Sequence, residues 1–126
     1  MKKMVFKLPY YNVTVTLLQV ESAEDADKVM PYLRSVKAES DDIQYTVDGI
    51  RRGAVNGGDT YRDLCNKRML VLFYPMENAE RKAEIYFHEK RHVEDRVLQF
   101  HGVNDIESAG LLAGFLGVKF YKFALM

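Results

Sequence analysis

The feature that most constrains the fold is the stretch from residue 78 to residue 100, which contains neither glycine nor proline. Ile85, Tyr86, Val93, Val97 and Phe100 recur in it at helical intervals, with charged residues between them. Nothing breaks the backbone pattern, so this stretch is predicted to be the longest helix of the chain. Gly102 and Asn104 then interrupt it. Asp105 to Gly117 reads as a return helix with Ile106, Leu111, Leu112, Phe115 and Leu116 as its bulky packing residues.

The preceding sequence supplies a sheet. Residues 12 to 20 alternate β-branched and polar positions, the pattern of a strand with one buried face. Ser22, Glu24 and Asp25 suit a helix start, and Val29, Tyr32, Leu33 and Val36 form an apolar stripe, so residues 23 to 37 are predicted helical. Residues 43 to 48 read as a second strand, and Gly49 to Asp59, with Gly53, Gly57 and Gly58, as a loop. Met69 to Tyr74 is a nearly continuous apolar run closed by Pro75, as in a strand covered on both faces. Val118 to Leu125 alternates enough to be read as a last strand. With no internal repeat, linker or low-complexity tract, residues 1 to 126 are expected to form one α+β domain. Its small mixed or antiparallel sheet would carry the long helix packed against its return helix.

Charge removes two classes of partner from favour. Lys+Arg and Asp+Glu both number 18, so no overall field draws the chain to nucleic acid or an anionic membrane. Lys7, Pro9 and Asn12 interrupt the stretch after Met1-Lys2-Lys3, which is therefore read as folded protein rather than a secretory signal. The lone Cys65 excludes an internal disulfide or a cysteine-rich metal cage, fits a reducing cytoplasmic compartment, and is read as a small buried residue. Arg51 and Arg52 lack a phosphate-cradling spacing and are read as a solvated turn rather than an anion site. Tyr61, Tyr86 and Tyr121 are read as packing residues rather than donors to an oxyanion.

The long helix also contains the run His88-Glu89-Lys90-Arg91-His92. Positions four apart share a helix face, so His88 and His92 can direct both imidazoles at one ion, with Glu89 beside them to take a proton from water that the ion has acidified. This run, in the order strand, helix, turn, helix, resembles the zincin metallopeptidases over residues 68 to 117. The resemblance implies a zinc-dependent hydrolase, most naturally a peptidase acting on a peptide or protein, with Met69 to Tyr74 bordering the substrate cleft. It also implies a third ligand. Glu107, opening the return helix, is similar to the glutamate that completes the gluzincin site, and Gly110, Gly114 and Gly117 would let that helix approach closely. Asp105 and His101 are reserve ligands, on the analogy of the short-gap Spartan-type proteases. A metzincin site would need glycine where Asp95 stands. Lys90 and Arg91 occupy central positions that zincins fill with uncharged residues, so this face is expected to be more exposed than theirs. The competing expectations are a solvated face of local ion pairs, or a non-catalytic accessory domain that contacts another protein.

Overall fold

A computed structural model describes all residues 1–126. Four strands form one mixed sheet: β1 (Lys2–Lys7), β2 (Thr14–Gln19), β3 (Gly58–Asp63) and β4 (Arg68–Phe73), in the order β1-β2-β4-β3. β2 and β4 run parallel, and the two outer pairings are antiparallel. The helices are α1 (Ala26–Ser35), entered through a 3-10 turn at Ala23–Asp25, α2 (Ser40–Arg51), α3 (Ala79–Phe100) and α4 (Ile106–Ala124). The α+β class, with a long helix beside a return helix on a small mixed sheet, is as the sequence implies.

The alternation along β4 explains the layering. Met69, Val71 and Phe73 join one core with residues of α3 and α4, whereas Leu70, Leu72 and Tyr74 join a second core with α1 and α2. Side chains of a strand point alternately to opposite faces, so a strand covered on both sides must be apolar throughout. β4 is that strand, and helices lie on both faces of the sheet.

Three sequence expectations change. Residues 43 to 48 lie inside α2, where Ile43, Val47 and Ile50 fall on one helical face toward the second core. A six-residue window is too short to separate the two periods, and the acids Asp41 and Asp42 in the first turn favour the helix. Part of the expected loop is β3, an edge strand whose Asp59, Arg62 and Asp63 hide it from an apolar pattern. Val118 to Leu125 does not turn back as a strand. α4 runs on to Ala124, burying Leu116, Phe120 and Phe123 at intervals of four and three.

Two caps fix where the long helices begin. Asn78 accepts from the Arg81 amide at 2.8 Å, and Asp105 accepts from the Ser108 amide at 2.8 Å. That amide holds the Asp105 carboxyl below its usual range. Tyr86 sets the rotation of α3 about its axis. Its ring stacks on Phe73 with centroids 3.9 Å apart, and its hydroxyl donates to Gln19 Oε1 at 2.8 Å. The Gln19 amide in turn donates to the Tyr74 carbonyl at 3.2 Å, tying helix to sheet, and burial pushes the Tyr86 phenol up.

Candidate metal centre

With Tyr86 turned into the core, the neighbouring face of α3 is carried toward β3. Two glycines let it come close. Gly57 has φ +78°, and a Cβ on Gly58 would stand 2.8 Å from Glu89 Cγ and 2.9 Å from the Leu72 carbonyl oxygen. Any side chain at 58 would therefore push α3 off the strand.

In this tight seam Glu89 is 3% exposed, and its Oε1 accepts from the Thr60 hydroxyl at 2.8 Å. Its Oε2 lies 3.8 Å from His88 Nε2, the only ion-pair contact it has. His88 Nε2 and His92 Nε2 are 3.0 Å apart, with rings perpendicular. One ligand atom from each of the three residues lies within 4.8 Å of the others. Two donors on one zinc at ~2.1 Å stand about 3.4 Å apart in a tetrahedral arrangement. The imidazoles stand nearer than that, at hydrogen-bond distance, so they would part slightly to share an ion, and the Glu89 carboxylate, 3.8 Å from His88 Nε2, would have to come closer to join them.

The structure brings His88, Glu89 and His92 together and leaves Glu107 out. Lys82 Nζ donates to the Ala124 carbonyl at 3.0 Å, and Lys90 Cε lies 3.7 Å from the Cβ position of Gly117. α3 therefore turns its Lys82 and Lys90 face, not its histidine face, to α4. Continuing the antiparallel register puts Glu107 level with Phe100, eight residues from His92, or about 12 Å at ~1.5 Å per residue. Glu107 is exposed on the outer side of α4 and cannot complete this site. Gly110 and Gly114 share that outer side with no atom within 4 Å of a Cβ, so they do not bring the helices together. The reserve ligands stand outside this cluster. His101 Nδ1 lies 2.7 Å from the Val97 carbonyl with its ring against Tyr11, and Asp105 caps α4.

The remaining candidates settle into structural roles, with three departures, the first being Tyr121, read as a packing residue but 63% exposed. Lys90 pairs with buried Glu94 between α3 and α4, while exposed Arg91 pairs with Asp95 at 3.2 Å. The Tyr61 hydroxyl is 3.1 Å from that of Thr46, and Arg51 pairs with Asp27 and Asp48. Cys65 is exposed rather than buried. Met69 to Tyr74 is an inner strand flanked by β2 and β3, so the free sheet edge next to the histidines belongs to β3. Thr60 and Gly58 are the site residues that sequence reading missed. The Gly57-Gly58 pair was the one available signal, and it reads equally well as a loop.

The chain matches no protein-family model, no curated protein and no solved structure. No helix is long and apolar enough to cross a membrane.

Proposed function

We propose that this chain is a zinc-dependent hydrolase acting on an extended peptide segment, with His88 and His92 holding the ion and Glu89 as the base. The observation that carries this reading is the Glu89 carboxylate, buried beside two imidazoles with no lysine or arginine in pairing reach. A buried anion is strongly unfavourable without a countercharge, and the Thr60 hydroxyl is neutral. A divalent cation at the imidazoles supplies that charge. Bound zinc would contribute a Lewis acid that polarises a carbonyl and acidifies water. Thr60 fixes Oε1, which leaves Oε2 directed to the histidine side as the proton acceptor. The free edge of β3 offers main-chain groups along which an extended peptide could lie beside the site. A lone exposed thiol with no disulfide fits a cytoplasmic setting.

One observation favours a second reading, a non-catalytic accessory domain in which Glu89 is itself the third ligand. Glu107 is out of reach, and none of the five principal surface hollows is lined by His88, Glu89 or His92. One variant separates the two. After purification without a metal-affinity tag, the chain should contain near-stoichiometric zinc, and His88→Ala or His92→Ala should lose it. Glu89→Gln should retain zinc and lose peptide hydrolysis if Glu89 is the base. Loss of zinc from all three variants makes Glu89 a ligand and selects the accessory reading. A zinc-free wild-type chain that fails to take up added zinc sinks both.

A further inference from the structure

α4 is apolar on two opposite faces. Leu112, Leu116, Phe120 and Phe123 face the core. About 180° away at ~100° per residue, Leu111, Gly114, Val118, Tyr121 and Leu125 recur at alternating intervals of three and four. That is the spacing of a helix–helix seam, and its large members stand in solvent: Leu111 is 62% exposed, Val118 53%, Tyr121 63% and Leu125 69%. A single-layer surface helix would carry polar residues there.

We infer that this seam is the interface of a symmetric antiparallel dimer, α4 against α4, with the two-fold axis passing beside Val118. The sequence of sizes along the seam is self-complementary about that point. Turned end for end, Val118 meets its own copy, Leu111 meets the partner's Leu125, and Gly114 receives the partner's Tyr121. The notch at Gly114 is open, with no atom within 4 Å of its Cβ position, so the tyrosine has room to enter. Beside Leu111 lies a hollow of about 290 Å³ lined by Pro9, Tyr10, Tyr11, Leu112 and Phe115, where the partner's Leu125 would seat. The Tyr10 flank of that hollow is itself built at a conformational cost, since Tyr10 has φ 67° and is 96% exposed. The large exposed seam residues and Tyr10 present about 100 Å² each, roughly 500 Å² per copy if wholly covered, and the ~1,000 Å² total is at the lower limit for a specific interface, as suits a dimer that forms at micromolar concentration. A two-fold axis requires one patch to fit itself, which this alternation of large and small residues does.

Sedimentation of the full chain tests this. At about 100 µM the wild type should run at twice its 14.6 kDa chain mass. Val118→Glu places two like charges on the axis and should weaken association at least about tenfold, as should Val118→Lys. Mixing those two variants should restore a dimer, because only a residue facing its own copy allows rescue by opposite charge. Gly114→Phe should also weaken association by filling the notch, and Tyr45→Ser, 74% exposed on α2 across the sheet from the seam, should not. All are surface changes, so unchanged circular dichroism confirms that a loss of mass is not unfolding. A monomeric wild type overturns the inference, as does a dimer indifferent to Val118, which would use another surface. A monomer that floats with neutral phosphatidylcholine vesicles through Leu111 and Leu125 also overturns it, in favour of a lipid surface.

Discussion

Glu89 and Glu94 lie five residues apart on α3, both almost wholly buried, and their surroundings answer the same charge in opposite ways. On the α4 side, Glu94 accepts from Lys90, one turn earlier on its own helix, with Arg91 at 3.8 Å. On the β3 side, Glu89 has only the neutral Thr60 hydroxyl and a histidine pair. About 140° of helix rotation separates a carboxylate whose cation is resident from one with no lysine or arginine beside it. The comparison teaches that a buried acid is not in itself a functional signal. What distinguishes a site is that the compensating charge is missing from the chain.

The largest expected effect lies on the resident side. Glu94→Ala strands the Lys90 ammonium between two helices, which should cost about 3–4 kcal/mol in urea unfolding, equally with and without zinc. A cost below about 1 kcal/mol would mean that solvent already screens the pair and the contrast is false.

Asp25 provides a calibration from elsewhere in the fold. Burial works against its charge, but the Glu21 amide at 2.8 Å and the Ser22 amide at 3.3 Å outweigh it and hold the carboxyl below its usual range. A depressed folded-state value contributes stability above the ordinary carboxylate pKa and loses it as pH falls through the folded value. Asp25→Asn should therefore cost about 2 kcal/mol at neutral pH, with the difference from wild type shrinking below about pH 4. A pH-independent difference would show that the amides do not compensate this charge.

The smallest effect, and the sharpest, belongs to the unmatched acid. In zinc-free buffer Glu89→Gln should change stability by no more than about 1 kcal/mol, in the stabilising direction, because it removes a charge that nothing offsets. Added zinc, at about a hundredfold over Kd, should stabilise the wild type by about 2.7 kcal/mol, and melting of His88→Ala should not respond. A Glu89→Gln loss as large as that of Glu94→Ala would show that Glu89 already has its partner and needs no ion.

Long, strongly periodic elements were legible in the sequence: α3, β2, β4 and the first half of α4. β3 was not, since an edge strand buries little and Asp59, Arg62 and Asp63 give no alternation to detect. The site was half legible for the same reason. His88, Glu89 and His92 are neighbours on one helix and their convergence follows from the 3.6-residue turn. Thr60 reaches Glu89 across 29 residues, a contact that depends on which edge of the sheet β3 occupies. Glu107 was misplaced because sequence spacing gives the length of α3 but not its rotation, which Tyr86 and Gln19 decide through the core.

The parallel pairing of β2 with β4 also orders events in time. Thr14 pairs across from Arg68, so the middle of the sheet closes a loop of more than fifty residues. At translation rates of ~5–20 residues per second, the β1–β2 hairpin would wait roughly 3–10 s for its central neighbour to be made. During that interval β2 has one unsatisfied edge, and its Val15 and Leu17 face still lacks the cover of α3 and α4. Lys2, Lys3 and Lys7 on β1 give the early hairpin a charged flank against pairing with other nascent chains, whereas β3, β4 and α3 follow one another closely and can assemble as a local unit. The slow step of folding should thus be the capture of β2 by a unit that already carries the histidines.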